Sequence, residues 1–304
     1  MRCRGFKMSY RAGFIGIVGL PNAGKSSLLN HLIGEHLCIV SRKPQATRRR
    51  IQGVISSKDY QIVFVDSPGF LKKGKSGMTG FIAEEARRVI EEVDALLLMI
   101  PADLESKREM EPLLELVEKA NKPVLFCMSK SDLKKSIATQ ELLFELSSKG
   151  YHGFPTSIKK TKAPEKLKIC QEIAAVLPEC QEPLFDEEAY TTENIREIAA
   201  ELIREECFEC LEQELPFSIG VVIESFKEEE KITRIDASII VEKENHKGIV
   251  IGKGGLQLKK IGEYARKKIE KMLGQKIFLG LHVSHKPNWT DQKRMMKELG
   301  YVSE

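Results

Sequence analysis

The stretch that decides the fold is GLPNAGKS, Gly19 to Ser26, which matches the pattern G-x-x-x-x-G-K-[ST]. An apolar run precedes it and a helical pattern follows it. Glycines in such a loop let backbone N–H groups point inward at phosphate, and the helix N-terminus adds a favourable dipole. The alternative is a glycine-rich turn with a chance Gly-Lys-Ser, and the strand–loop–helix frame speaks against it. The stretch therefore predicts a loop that binds the phosphates of a nucleoside triphosphate.

Two side chains of this loop and a second motif predict the chemistry around the phosphates. Lys25 is expected to reach the β- and γ-phosphates, and the Ser26 hydroxyl is expected to bind Mg²⁺. The stretch VDSPG ends the next long apolar run, where Asp66 would hold Mg²⁺ through water and the Gly69 N–H would sense the γ-phosphate. A simple Pro-Gly turn explains the glycine but not the acid at the end of a buried strand. The other loop residues predicted to contact nucleotide are Gly19, Asn22, Ala23, Gly24 and Ser27.

Between these motifs lies SRKPQATRRRI, residues 41–51. We predict that Thr47 adds its hydroxyl to the Mg²⁺ shell when the γ-phosphate is present. With Lys25 and Gly69 it forms the predicted catalytic set. The arginines fit a solvated loop and a contact with RNA or the ribosome equally well.

A base-reading motif is predicted at FCMSKSD, residues 126–132. The Asp132 carboxylate can accept hydrogen bonds from N1–H and the exocyclic amine of guanine, a pair of donors that adenine lacks. The stem of Lys130 can lie over the base. In PTSIK, the backbone of Ser157 and Ile158 is expected to face guanine O6. A charged turn after a buried strand is the alternative, but the order of the motifs favours a guanine reader.

The two parts of the chain have different hydrophobic patterns. GFIGIVG, YQIVFVD, ALLLMIP and PVLFCMS are continuous apolar runs between helical patterns, as in a parallel sheet buried on both faces. After LPECQEPLFDEEAYTT the strands alternate, which favours a small α+β domain. We predict an N-terminal extension at 1–12, an α/β phosphate-loop GTPase domain at 13–178 with a mostly parallel sheet flanked by helices, a linker at 179–191 and the α+β domain at 192–304.

The α+β domain contains a G-x-x-G loop, Gly252 to Gly255, in the order α-β-β-α-α-β. This order suits a type II KH fold, whose glycine loop clamps single-stranded RNA. Residues 243–271 contain nine basic and three acidic residues, whereas residues 191–304 contain 19 basic and 20 acidic residues. Positive charge is therefore concentrated around the loop, which favours nucleic-acid binding over a solvated helix face. The predicted RNA contacts are Gly252, Lys253, Gly254, Gly255, Lys259 and Lys260.

Composition sets the broad class of the protein. A chain of 304 residues with 42% hydrophobic and 30% charged residues is expected to form about two globular domains. Seven scattered cysteines fit a reducing cytoplasm better than a disulfide framework. The first residues lack the apolar core of a signal peptide, and no apolar run is long enough to cross a bilayer.

Taken together, these motifs resemble the Era family of GTPases over nearly the whole chain. The marks are GLPNAGKSSLLN, SRKPQATRRRIQG, VDSPG, ELPFSI, VIGKGGLQLKKIGEYARKKIEKML and the closing NWTDQKR and LGYV. The resemblance implies a GTP/GDP- and Mg²⁺-dependent GTPase that binds small-subunit ribosomal RNA near its 3′ end and assists assembly of that subunit. It also implies peripheral association with the inner membrane from the cytoplasmic side. We expect a monomer, and Asn22 to help bind K⁺.

The chain departs from the family pattern at several positions. Ser129 replaces the usual Asn and makes fewer bridges to the base and the phosphate loop, so we expect guanine specificity to persist with lower affinity. Ser67 replaces the usual Thr, and Ile158 replaces a small residue. Phe70 stands where Ras-like proteins carry a water-orienting Gln, which the family also lacks, so slow intrinsic hydrolysis is expected.

Two other functions are compatible with parts of the sequence. One is an RNA-binding assembly chaperone with a weakened or inactive GTPase half, which Ser129 supports. The other is a non-ribosomal nucleotide enzyme with an unrelated second domain, which the basic G-x-x-G region opposes. Titration with guanine and adenine nucleotides tests the first, and RNA crosslinking tests the second.

Overall fold

The structure is a computed structural model that describes residues 10–41, 43, 46–48, 50–70, 78–230, 232–299 and 301. The chain forms two compact units. Of the described residues, the first unit takes 10–35, 50–70 and 83–192, and the second takes 36–48, 78–82 and 193–301. Most of the predicted N-terminal extension, residues 42, 44, 45 and 49 of the predicted magnesium-binding loop, and residues 300 and 302 of the closing motif lie outside the described residues.

The first unit is built on a six-stranded sheet in the order β2-β3-β1-β4-β5-β6. Its elements, with α2 beginning in residues of the second unit, are β1 (Arg11–Gly19), α1 (Lys25–Ile33), β2 (Ile51–Ser56), β3 (Tyr60–Asp66), α2 (Met78–Glu92), β4 (Ala95–Pro101), α3 (Glu111–Lys119), β5 (Val124–Ser129), α4 (Ile137–Ser148), β6 (His152–Pro155) and α5 (Ala163–Ala175). Every residue of β3 and β4 is buried, as their continuous apolar runs predict. The predicted α/β fold with a mostly parallel sheet is confirmed.

Because β1, β3, β4 and β5 are parallel, their carboxyl ends, which carry the motifs, lie at the same end of the sheet. In the register, Ile17 of β1 lies beside Asp66 of β3, and Gly19 of β1 lies beside Met99 of β4. Ser129 of β5 lies beside Pro101 of β4. The phosphate loop, the VDSPG motif and the predicted base-reading motif therefore all follow the carboxyl ends of the parallel strands.

Strand β2 is the element that the hydrophobic pattern does not predict. It pairs antiparallel with β3, at the sheet edge, and carries Gly53 at its centre. A Cβ at Gly53 would lie 2.0 Å from Cδ1 of Ile33, so the glycine is what lets the end of α1 pack against this strand. A six-residue strand that follows a charged loop and contains glycine gives little β signal.

The predicted linker region is ordered along the edge of the first unit. The backbone N–H of Val54 donates to the Tyr190 carbonyl at 2.9 Å. The side chain of buried Gln61 donates to the Phe185 carbonyl at 2.9 Å and accepts from the Leu184 N–H at 2.7 Å. These bonds satisfy backbone groups of residues 184–190 and, at the same time, polar groups of β2 and β3.

The second unit contains a three-stranded sheet in the order β7-β8-β9. Its elements are α6 (Ile195–Cys210), β7 (Ile219–Glu228), β8 (Thr233–Val241), α7 (Glu244–Ile251), α8 (Leu256–Leu273), β9 (Ile277–His285) and α9 (Lys293–Glu298). Strand β8 is antiparallel to β7 and parallel to β9. The alternating apolar residues of β8 are fully buried, and these are Ile235, Ala237, Ile239 and Val241. Three apolar residues of α8, Ile261, Ala265 and Ile269, are fully buried as well. The predicted α-β-β-α-α-β order and the KH fold are confirmed.

Candidate nucleotide and RNA sites

The phosphate loop holds a buried ammonium group. Lys25 begins α1, is 5% exposed, and donates from Nζ to the carbonyls of Gly19 at 3.2 Å and Leu20 at 3.0 Å. Burial lowers the pKa of Lys25 to about 8, and the negative charge of Asp66 opposes this shift. A buried cation hydrogen-bonded to neutral carbonyls is stabilised by an incoming anion, and a phosphate group supplies one.

Loop backbone conformation explains the glycine that precedes this lysine. Gly24 caps α1 with a φ of 90°, a left-handed conformation that favours glycine. No acidic residue lies in the first turn of α1. The helix N-terminus therefore keeps its positive end available for an anion.

The predicted metal ligands of the first unit come together. Ser26 Oγ donates to Asp66 Oδ2 at 2.6 Å, and Asp66 is fully buried at the end of β3. Ser67 Oγ donates to the Ile17 carbonyl at 2.7 Å and fixes the turn that follows. A hydroxyl and a carboxylate beside a phosphate loop form the oxygen donor set that Mg²⁺ prefers. These residues fit the predicted Mg²⁺–nucleotide complex.

Gly69 passes directly over the phosphate loop. A Cβ at this position would lie 2.7 Å from Cα and 2.8 Å from N of Pro21, so no other residue fits without moving the loop. The next N–H, that of Phe70, donates to the Gly19 carbonyl at 3.0 Å. This backbone contact supports the hypothesis that Gly69 senses a group bound in the loop.

A hydroxyl of the predicted base-reading motif contacts the phosphate loop. Ser129 Oγ donates to the Ala23 carbonyl at 2.7 Å, and the serine is buried. Lys130 adopts a left-handed φ of 55°, and its Nζ donates to the Asp103 carboxylate at 2.9 and 3.0 Å. Ser129 therefore contacts the phosphate loop through its hydroxyl, and its role in base reading stays a prediction.

Asp132 is held as an ionised acceptor. Ser157 Oγ donates to its Oδ1 at 2.6 Å, and Lys159 Nζ lies 3.8 Å from its Oδ2. The Ser157 hydrogen bond, reinforced by the neighbouring lysines, lowers the pKa of Asp132 against the opposing effect of desolvation. The loop is also closed by Thr161, whose hydroxyl lies 3.3 Å from the Ser157 N–H. The carboxylate predicted to read guanine and the loop predicted to face O6 therefore meet.

Two contributing residues escaped sequence reasoning. Asp103 follows β4 and fixes Lys130, and Thr161 supports Ser157. The sequence could have indicated Asp103, because an acidic residue two positions after a buried parallel strand lies near the carboxyl ends of the strands, as the motifs do. Thr161 had no signal, because its partner is identified only by the loop conformation.

We expect Ser129→Asn to tighten GDP and GTP binding. The longer amide adds a donor and an acceptor where the hydroxyl spans only to Ala23, worth about one net hydrogen bond or roughly 0.5–1.5 kcal/mol. Calorimetric titration with GDP and ADP measures both affinity and base preference, which Asp132 should keep. Ser131→Asn is the matched control, because Ser131 bonds to Thr156 through its backbone N–H. No gain for Ser129→Asn over this control contradicts the assignment.

Thr47 and its neighbours belong to the second unit. Thr47 is buried, and the fully buried Arg48 donates to the carbonyls of Ile219 at 2.6 Å and Pro216 at 3.0 Å. The guanidinium also lies 5.6 Å from the centre of the Phe208 ring. Two interpretations were predicted for the arginines, a solvated loop and an RNA contact. Both are wrong for Arg48, because its guanidinium is buried and donates its hydrogen bonds to backbone carbonyls. The role of Thr47 at Mg²⁺ stays a prediction.

The glycine loop of the second unit combines a tight turn with an open surface. Gly252 has a φ of 73°, and a Cβ there would lie 2.6 Å from Cβ of Gln257. Gly254 and Gly255 also have positive φ, and an added Cβ at either would meet nothing within 4 Å. Lys253, Lys259 and Lys260 are exposed around the loop. The loop can therefore let a sugar–phosphate backbone approach closely, with Gly255 capping α8.

A phosphate loop with a serine–aspartate pair and a predicted base-reading motif, followed by a KH fold, is typical of the class of GTPases joined to an RNA-binding module. The family of 50S ribosome-binding GTPases matches residues 14–130, and the KH domain family matches residues 214–290. Because the chain is 37% and 39% identical, over nearly its whole length, to two proteins named GTPase Era, it belongs to the Era family of GTPases.

Two relatives named GTPase Era illustrate the similarity. The one from Caldanaerobacter subterraneus is 37% identical over 298 residues, spanning 97% of this chain and 99% of the relative. The one from Geotalea uraniireducens is 39% identical over 298 residues, spanning 96% of this chain and 98% of the relative.

Two solved structures have similar folds. An Era variant from Aquifex aeolicus bound to GDP·AlF4⁻ has a TM-score of 0.88 and 35% identity, covering 96% of this chain and 100% of its own. Era in complex with MgGDPNP and nucleotides 1506–1542 of 16S ribosomal RNA has a TM-score of 0.88 and 35% identity, covering 97% and 100%.

None of the helices in the described ranges is long and apolar enough to cross a membrane.

Proposed function

We propose that this chain binds GTP with Mg²⁺, hydrolyses it to GDP and phosphate, and binds small-subunit ribosomal RNA near its 3′ end to assist assembly of that subunit. The observation that carries the proposal is the coexistence, on one chain, of the buried Lys25 loop with its Ser26–Asp66 pair and an open glycine loop. The Era complex with MgGDPNP and 16S ribosomal RNA supports both halves.

In the proposed reaction, water attacks the γ-phosphate and the β–γ bridging oxygen leaves with GDP. Lys25 would neutralise charge on the phosphates, and Ser26 and Asp66 would hold Mg²⁺, which would supply further positive charge there. Thr47 is proposed as an additional Mg²⁺ ligand. The Gly69 N–H would contact the γ-phosphate. Phe70 is buried and supplies no polar group to orient the water, which is consistent with a slow intrinsic rate.

The alternative function is an RNA-binding assembly chaperone with a weakened GTPase half. Ser129, with its one bond to the loop, is the observation that favours it. GTP and ADP titrations separate the two, because a weakened half loses guanine nucleotide binding at micromolar protein.

Several finer points of function are also proposals. Free cysteines, such as the buried Cys127 and Cys207, support a reducing, cytoplasmic location. A monomeric state, a K⁺ ion near Asn22 and peripheral membrane association are carried by the family resemblance alone.

Gly254→Asp combined with Gly255→Asp should lower affinity for a single-stranded 16S 3′-end oligonucleotide by at least about tenfold while leaving GTP binding unchanged. The change puts two anions where phosphate must approach, and neither Cβ meets a neighbour within 4 Å. The positive φ at both positions adds local backbone strain, but Asp tolerates this conformation better than most residues, so the fold should persist. Gly252→Asp is less informative because its Cβ would clash with Gln257.

Fluorescence anisotropy with labelled RNA provides the measurement for this prediction. Gly274→Asp is the matched control, since Gly274 also has a positive φ and open space but caps the far end of α8. Wild-type RNA affinity in the folded double variant would refute the glycine clamp.

A further inference from the structure

Two joined loops of the first unit expose aliphatic side chains. One loop is residues 131–137, between β5 and the first residue of α4, and the other is residues 156–160, which follow β6. The loops are hydrogen-bonded to each other, because the backbone N–H of Ser131 donates to the Thr156 carbonyl at 3.0 Å. Single exposed aliphatic residues are ordinary, but several on joined loops mark a surface that binds something apolar. The exposed aliphatic side chains are Leu133 at 44%, Ile137 at 75% and Ile158 at 41%.

The same two loops carry exposed lysines directly beside the aliphatic residues. The acid on these loops, Asp132, is 16% exposed and already accepts from Ser157 Oγ. Lys159 Nζ lies 3.8 Å from Asp132 Oδ2, yet 82% of the lysine side chain is exposed. Within the described ranges, the other three lysines make no ion pair. The surface therefore has excess positive charge, and its lysines are Lys134, Lys135, Lys159 and Lys160.

Aliphatic side chains next to lysines are complementary to an anionic bilayer. The bilayer offers hydrocarbon to the aliphatic side chains and negatively charged headgroups to the lysines beside them. Single-stranded nucleic acid is a weaker fit, because it is held on exposed aromatic rings and neither loop contains an aromatic residue. A protein partner would need a matching pocket for each side chain, whereas a fluid bilayer adapts to side chains that stand exposed.

Helix α4 continues beyond this surface with a different pattern. Phe144 is 78% exposed and lies about two turns beyond Ile137 on the helix. The exposed Glu141 stands between these two residues. A carboxylate opposes entry into a bilayer, because burial of an unpaired charge is unfavourable. The surface therefore ends at Ile137, and Phe144 is an equally exposed apolar residue outside it.

We propose that loops 131–137 and 156–160 dock the protein on an anionic bilayer. Leu133, Ile137 and Ile158 enter the boundary of the hydrocarbon, and the four lysines lie at the headgroups. This rests on the proposed peripheral membrane association and assigns its contact to the first unit, on the loops that also carry the predicted base-reading residues.

Sedimentation of the full chain, saturated with GDP, with lipid vesicles tests the proposal. We expect vesicles of phosphatidylglycerol and phosphatidylcholine at about 1:2 to bind at least about tenfold more tightly than phosphatidylcholine alone. Leu133→Ser with Ile137→Ser should weaken this binding by at least about tenfold, because the aliphatic insertion is lost. Lys134→Gln with Lys135→Gln should also weaken it by at least about tenfold, since each lysine near an anionic surface contributes about fivefold. Phe144→Ser is the matched control, and thermal unfolding shows that each variant is folded.

The outcomes separate this surface from membrane association in general. If the wild type does not bind the mixed vesicles, both the association and this surface are refuted. If the wild type binds and both double variants bind equally well, the association stands and its contact lies elsewhere, which refutes this surface alone. A loss confined to the lysine variant would indicate a polyanion site, and an equal loss in Phe144→Ser would indicate non-specific adsorption. Either result overturns the proposal.

Discussion

Lys25→Ala should reduce GTP turnover by at least about 100-fold and weaken GTP binding. The ammonium is buried and donates to two loop carbonyls, so it lies where the β- and γ-phosphates are expected. Charge on the transferring phosphoryl group grows in a site with little water, and removal of one such positioned donor typically costs 100- to 1000-fold in rate. The effect should therefore exceed that of any other single side chain in the loop.

Single-turnover hydrolysis at saturating GTP separates the loss in rate from the loss in affinity. Lys122→Ala is the matched control, because Lys122 also donates to backbone carbonyls, those of Glu91 and Val93, away from the phosphate loop. Lys122 is only partly buried, and a stability defect common to lysine–carbonyl contacts would appear in both variants. Turnover within about threefold of wild type in Lys25→Ala would remove this lysine from the catalytic set.

The parts of the fold that the sequence predicts are those specified by local pattern. Strand β4, ALLLMIP, is recognisable because a run buried on both faces has no polar alternation. The phosphate loop is recognisable because only glycine and a following helix N-terminus make that turn. In the second unit, two-residue alternation in β8 predicts one buried face, but it does not predict that Ser238 and Ile240 on the opposite face are buried as well.

The parts that the sequence does not predict depend on contacts between distant segments. Gly53 marks the close approach of Ile33, and nothing within β2 indicates that partner. Arg48 stands in a basic stretch that resembles a solvated loop, yet carbonyls 168 and 171 residues away bind it. A charged side chain can be buried when its donors are satisfied, and this satisfaction is visible only in the fold.

The base-reading site lies between these two cases. The lysine and the aspartate of SKSD follow from the motif, but their supports do not. Asp103 fixes Lys130, and Ser157 holds the carboxylate of Asp132 in place. Supports of this kind decide whether a motif is a working reader or a coincidence, because an unfixed carboxylate would gain little selectivity.

Asp132→Asn should therefore exchange the preference for guanine nucleotides for one that includes xanthine nucleotides. The carboxylate can accept from both guanine donors, whereas an amide has a single acceptor and presents an N–H to the other position. A site built to bond a particular donor pattern discriminates strongly, so GDP affinity should fall on the order of 100-fold. Xanthine carries an oxygen in place of the exocyclic amine and should gain, because the new amide can donate to it.

Calorimetry with GDP, XDP and ADP on the variant measures this exchange. Asp94→Asn is the matched control, since Asp94 is another carboxylate of the first unit that accepts a hydrogen bond, from the Phe14 N–H at 2.7 Å, and its loss leaves Asp132 with its Ser157 bond and Lys130 with Asp103. Loss of charge alone would change the affinities of both variants in the same way and would leave the order of affinity for GDP, XDP and ADP unchanged. An altered order confined to Asp132→Asn assigns base choice to this carboxylate, whereas an unaltered order in both would mean that SKSD is a charged turn after a buried strand.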